Sequence, residues 1–136
     1  MGLSFIIIEN AELDYVVAEK LIRREIGDAD IQTFLSANDA MKDIQAGAVK
    51  GSKPAIVLLD VMMPKYDGSW FVNAFEKLEE SIQKDYFVVV LTSCMNQTEL
   101  ERLNSKKTVR MLFAKPINTE KLRAIVGEAK LEFGAE

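Results

Sequence analysis

Five short apolar runs alternate with stretches of helical periodicity along this 136-residue chain, and that alternation restricts its fold more than any other feature. Residues 3–8, 30–35, 55–59, 87–91 and 109–114 are short and mostly β-branched or apolar, as strands buried on both faces of a parallel sheet are. The second run is the weakest, because Gln32 and Thr33 interrupt it, which suits an edge strand. Each run is followed by apolar residues at helical spacing. The first helix is expected over residues 11–25, with Leu13, Val17 and Leu21 inward beside Ala18 and Ile22, and Gly27 stopping it. A second helix is capped by Asn38 and buries Ala40, Met41 and Ile44; residues 47–53 then form a loop. Ser69 caps a third, whose stripe is Phe71, Ala74, Phe75, Leu78 and Ile82. Asn96 and Glu99 form a capping box for a fourth that runs to about Asn104. Asn118 or Thr119 caps the last, with Leu122, Ile125, Val126, Ala129 and Phe133 inward.

Short right-handed crossovers between such elements give a doubly wound α/β domain, a five-stranded parallel sheet between two helical layers. The length suits one domain over residues 1–136. A net charge of -4 argues against a nucleic-acid or anionic-membrane binder, which needs a basic surface. With no histidine and the single Cys94, zinc sites and Ser-His or Cys-His catalysis are excluded. The first eight residues lack a signal peptide's basic and apolar regions, and no segment has the length of a membrane span, so the expected compartment is the cytoplasm.

Four of the runs end in polar residues: Glu9 with Asn10, Asp60, Thr92 and Lys115. In an open parallel sheet all carboxyl ends lie on one edge, where ligands bind at the switch in strand order. If strand 1 lies between strands 2 and 3, these groups converge. Carboxylates suit Mg2+, which usually binds through one or two of them plus phosphate. A lysine adds a point charge for phosphate and a hydroxyl adds a hydrogen bond, so the set fits an incoming phosphoryl group with Asp60 as carboxylate nucleophile.

The segment LLDVMMPKYDG at residues 58–68, LTS at 91–93 and AKP at 114–116 together resemble the receiver domain of bacterial two-component response regulators, over about residues 3–133. The resemblance implies a flavodoxin-like three-layer sandwich with strand order 2-1-3-4-5 and no attached output domain. It further implies that Asp60 accepts a phosphoryl group from a sensor histidine kinase or phosphotransfer protein. Mg2+ would be held by Glu9, Asn10, Asp60 and the Met62 carbonyl, Lys115 would bind phosphoryl oxygens, and Thr92 would swing inward to them. The Lys115-Pro116 bond is expected cis, and the output face is that of the fourth helix, fifth strand and fifth helix, engaging a protein target or a second copy. Such a chain is a phosphoacceptor, not an enzyme.

Two positions depart from the family pattern. Asn10 stands where a second acidic residue is usual, offering a neutral oxygen; it would equally serve as an N-cap. Leu112 stands at the switch aromatic, and the adjacent Phe113 points to the opposite face of the strand, which makes it core. These departures favour, as the alternative, a receiver-fold interaction module working without phosphorylation. A dehalogenase-like phosphatase would need an Asp where Met62 stands, and a flavodoxin would need a Ser/Thr-rich loop where residues 10–13 read Asn-Ala-Glu-Leu. Cys94 lies beside the expected phosphoryl site and reads as a small packed hydrophobe.

Overall fold

A computed structural model describes residues 3–63, 67–93 and 97–133. Along the chain these form β1 (Ser4–Ile8), α1 (Glu12–Glu25), β2 (Asp30–Phe34), α2 (Ala37–Ala46), β3 (Ala55–Asp60) and α3 (Gly68–Phe75). There follow α4 (Glu80–Gln83), β4 (Tyr86–Thr92), α5 (Gln97–Asn104), β5 (Val109–Ala114) and α6 (Thr119–Glu132). The strands make one sheet, all parallel, in the order β2-β1-β3-β4-β5. Strand order and architecture match the sequence expectation, with β2 at an edge.

Period-two alternation divides the buried side chains between two layers. Ile6, Ile8, Val57, Leu59, Val88 and Val90 meet Met41 and Ile44 of α2, Phe71 and Phe75 of α3, and Leu103 of α5. Phe5, Ile7, Ile56, Leu58, Phe87 and Val89 meet Ala18, Leu21 and Ile22 of α1 and Leu122, Ile125 and Ala129 of α6. Leu112 packs with the first set and Met111 and Phe113 with the second, as strand alternation requires. Phe113 is half-buried at the margin of its layer.

Several helix boundaries differ from the sequence expectation. Ser36, not Asn38, caps α2 by accepting from the Asp39 N–H at 3.0 Å. Asp67, not Ser69, caps α3 through the Trp70 N–H at 2.9 Å. In both cases a good capping residue lies two positions upstream of the one expected, and the chain turns at the earlier one. Asn118 caps α6, accepting from Lys121 N–H at 2.8 Å. Helix α1 ends at Glu25, as expected, although Gly27 beyond it does not adopt the left-handed conformation that Gly47 takes after α2 (φ 69). Leu13 and Val17, expected inward, are 75% and 43% exposed, because α1 turns Ala18, Leu21 and Ile22 to the sheet.

The helix expected from Ser69 to Ile82 is broken. It stops at Phe75, and α4 restarts at Glu80, although Leu78 and Ile82 still pack on the same layer. Glu76, Glu79 and Glu80 would crowd the negative end of a single helix dipole; restarting puts Glu80 in a first turn, where a carboxylate is favoured. Gln83 closes the gap, its Nε2 donating to the carbonyls of Leu78 at 2.7 Å and Glu76 at 3.2 Å.

Two residues report on this packing. A Cβ added at Gly68 would lie 2.6 Å from Val61 Cγ1 and 2.8 Å from Val61 Cα. Helix propensity alone favours Gly68→Ala; the contact with Val61 reverses the sign, and urea unfolding should show a loss of about 1–3 kcal/mol. Tyr86 is buried edge-on against Phe75, with ring centroids 6.0 Å apart. Burial, and secondarily the Asp85 charge, push its hydroxyl up from 10.0 to about 12. The unfolded chain therefore ionises first. The stability contribution is complete below pH 10.0 and is lost as pH rises to about 12. Absorbance titration should show a late phenolate step that Tyr86→Phe removes, with a flatter stability profile across that window.

Candidate phosphoacceptor site

The parallel register aligns the ends of β1, β3 and β5. Ile8 pairs with Leu59, Asp60 with Leu91, and Thr92 with Ala114, so Glu9, Asp60 and Lys115 leave their strands at one edge. Main-chain hydrogen bonds continue past the strand ends, from Glu9 N–H to Phe34 O at 3.0 Å and from Lys115 N–H to Thr92 O at 2.8 Å. Lys115-Pro116 is cis, as expected, and Lys53-Pro54 is cis as well.

Lys115 Nζ is the centre of the site. It lies 2.7 Å from Glu9 Oε1, 2.8 Å from Asp14 Oδ2 and 3.2 Å from Asp60 Oδ1. The side chains of Glu9, Asp60 and Lys115 are only 6%, 3% and 14% exposed, whereas that of Asp14 is 45% exposed. Burial by itself would pull the ammonium down; hydrogen bonds to Asp14 and Glu9, with the charges of Asp60 and Glu9, outweigh it and hold Lys115 above the ordinary lysine value. Glu9 is likewise raised above the ordinary carboxylate value: burial pushes it up, only partly offset by Lys115 and by the Ala11 N–H, which donates to Oε2 at 3.1 Å.

Asp60 is held on one side. Its Oδ1 accepts from the Met62 N–H at 3.2 Å and faces Lys115, while Oδ2 has no hydrogen bond or ion pair among the described residues. Thr92 is buried and its Oγ1 has no hydrogen-bond partner among the described residues. Asp60, Glu9, Asp14 and Lys115 form the polar end of a cleft of about 250 Å³ whose remaining wall is apolar, including Leu13 and Val17 of α1, Leu91, and Ile117.

The structure thus brings Glu9, Asp60 and Lys115 together and leaves the Thr92 hydroxyl unpaired beside them on the next strand. Asn10 is exposed and neither caps α1, which starts after Ala11 without a side-chain cap, nor joins the cluster. Glu9 takes over the turn by accepting from Ala11. Sequence reasoning missed Asp14, which the helical pattern assigns to a solvated face. The only signal available was an acidic residue in the first turn of the helix that follows a strand-end carboxylate. Cys94 and the Asn96 half of the capping box lie outside the described residues.

No family model and no curated protein matches the sequence. Solved structures do match over nearly the whole chain. A response regulator receiver protein of Dyadobacter fermentans is 22% identical, covers 97% of this chain and 98% of its own, and superposes with a TM-score of 0.81. The phosphorylated cyanobacterial phytochrome response regulator RcpA is 17% identical, with 98% and 96% covered and a TM-score of 0.77. The Mn2+-bound form of the response regulator Rcp1 is 17% identical, with 95% and 93% covered and a TM-score of 0.73.

The chain has the receiver fold.

Within this receiver fold the donor set suits a hard cation. Glu9 and Asp60 place two buried carboxylates against one ammonium, and with Asp14 the three acids outnumber it. The surplus of negative charge on hard oxygen atoms is what a divalent ion such as Mg2+ offsets, and Mg2+ commonly takes one or two carboxylates and fills its remaining positions with water. Among the described residues no three acidic side chains are grouped closely enough to enclose an ion alone. No helix among the described residues is long and apolar enough to cross a membrane.

Lys115 also carries a stability prediction. Lys115→Met leaves Glu9 and Asp60 buried without their cation, and a loss of about 3 kcal/mol is expected near neutral pH. A carboxyl raised by burial stabilises the fold fully below its unfolded value of 4.5, and that contribution is lost as pH rises. The deficit of the variant should therefore shrink as pH falls toward 4.5 in urea unfolding. A deficit independent of pH would show that the lysine acts by packing alone.

Proposed function

We propose that this chain is a response regulator receiver whose Asp60 takes a phosphoryl group from a histidine kinase or phosphotransfer protein. The observation that carries the reading is the asymmetry of Asp60. One oxygen is anchored by the Met62 N–H and Lys115 while the other is uncommitted, which is the arrangement of an oriented nucleophile. The unpaired buried hydroxyl of Thr92 supports it, since a buried polar group without a partner is costly and a phosphoryl oxygen would satisfy it.

Asp60 Oδ2 attacks phosphorus in line with the donor's phosphorus–nitrogen bond. The new phosphorus–oxygen bond forms as that bond breaks, and its electron pair returns to the donor imidazole. Lys115 stabilises the charge on the transferred oxygens, and Thr92 donates a hydrogen bond to one of them. Glu9, Asp60 and the Met62 main-chain carbonyl would hold Mg2+, while Asn10, exposed and apart from the cluster, adds no charge to the site. When bound, the ion supplies charge neutralisation to the phosphoryl oxygens. The Mn2+-bound Rcp1 and the phosphorylated RcpA, which share the fold, support both parts of the reading. Attack by water on the same phosphorus returns the carboxylate and inorganic phosphate, so the chain is a phosphoacceptor rather than an enzyme acting on a separate substrate.

Phosphorylation adds about two negative charges at the site and biases a two-state equilibrium. The face of α5, β5 and α6 then engages a protein target or a second copy in the cytoplasm. The test is acetyl phosphate with Mg2+ and intact-mass detection. A gain of one phosphoryl group in the wild type, absent in Asp60→Asn, is expected. No gain under saturating Mg2+ would refute it and assign the chain to phosphate-independent interaction modules.

A further inference from the structure

Lys115 faces three carboxylates: its ammonium donates hydrogen bonds to Glu9 at 2.7 Å and Asp14 at 2.8 Å and forms an ion pair with Asp60 at 3.2 Å. A phosphoryl group arriving at Asp60 brings about two further negative charges up to this ammonium and competes with its carboxylate partners for it. The three partners are not equally easy to displace. Glu9 and Asp60 are 6% and 3% exposed, so releasing either leaves a carboxylate buried without its cation, which is strongly unfavourable. Asp14 is 45% exposed and returns to water at little cost.

We propose that Asp14 is a positioning residue: it holds one hydrogen-bond donor of Lys115 in the resting state and surrenders it to the incoming phosphoryl group. The idea rests on the phosphoacceptor reading of Asp60 and extends it to a residue on α1. Asp14 competes with the phosphoryl group for the same donor, so it weakens phosphoryl binding at Lys115 while the site is empty of it. It also joins α1 directly to the β5–α6 connection, because Lys115 begins that connection and Asp14 lies in the first turn of α1. Exchange of Asp14 for a phosphoryl oxygen breaks that joint. The walls of the apolar cleft, Leu13 and Val17 on α1 and Ile117 on the connection, are then no longer tied across its polar end. This route from the phosphoryl site to the surface does not pass through position 112, where Leu112 packs in the opposite layer.

The test compares wild type with Asp14→Asn and Glu12→Gln. Glu12 is an exposed carboxylate in the same first turn of α1 with no bond to Lys115, so Glu12→Gln removes the same charge without touching the joint. Beryllofluoride with Mg2+, as a phosphoryl mimic, should bind Asp14→Asn about three- to fivefold tighter than wild type, the size of one partly exposed ion pair. Glu12→Gln should match wild type, and Asp14→Glu should restore weaker binding. Hydrogen exchange at the Lys115 ammonium, followed by nitrogen-detected NMR without any phosphoryl mimic, should quicken severalfold in Asp14→Asn alone. Equal affinities and equal exchange in wild type and Asp14→Asn would overturn the proposal, and so would equal tightening by Glu12→Gln, which would make the effect one of overall charge. Failure of every form to bind beryllofluoride would instead refute the phosphoacceptor reading; the exchange measurement then judges the Asp14–Lys115 joint by itself, and unchanged exchange overturns it.

Discussion

The arrangement of this edge of the sheet depends on one ammonium. Lys115 ties the end of β5 to the ends of β1 and β3 and to the first turn of α1, at distances of 2.7 to 3.2 Å. Two of its partners are almost completely buried, and a buried carboxylate persists in ionised form only where a cation and hydrogen bonds offset its lost hydration. The lysine is in turn kept charged by those carboxylates. Each side is thus a condition for the other, and the net result is an acidic pocket with one positive pole.

Behind that edge lies the packing that makes it possible. A parallel sheet with both faces covered brings every carboxyl end to the same side, and the order β2-β1-β3-β4-β5 sets β1, β3 and β4 side by side. Val, Ile, Leu and Phe on alternate positions fill two separate layers, so a shift of register by one residue would exchange the two sets and turn Asp60 away from Lys115. Close contact of Gly68 with Val61 brings the start of α3 against the residue that follows Asp60. Precision at the carboxylate therefore derives from apolar packing one residue away from it.

Helix ends were the least legible part of the chain. Ser36 and Asp67 cap where Asn38 and Ser69 looked equally suitable, because capping propensity hardly separates these residue types and the path of the incoming loop decides among them. The break between α3 and α4 was hidden for a related reason. Its apolar stripe keeps helical spacing through Ile82, and those residues do reach the core, but by way of a turn closed by Gln83. Leu13 and Val17 show the opposite error, an inward spacing on a helix whose sheet-facing side is narrower than its apolar content.

The amino-acid sequence by itself determined the number and order of strands, the parallel sheet, and the meeting of Glu9, Asp60 and Lys115 at one edge. Those follow from local periodicity and from the rule that parallel strands share a carboxyl end, neither of which needs coordinates. Only the tertiary structure decided the rest of the site. Asn10 turned to solvent, Thr92 was left without a partner, and Asp14 was drawn into the cluster from a helix face that reads as solvated. Whether a side chain one turn into α1 reaches Lys115 depends on the rotation of that helix about its axis, which is set by how Ala18, Leu21 and Ile22 seat on the sheet. Rotation is a property of packing between elements, and no pattern within one element encodes it.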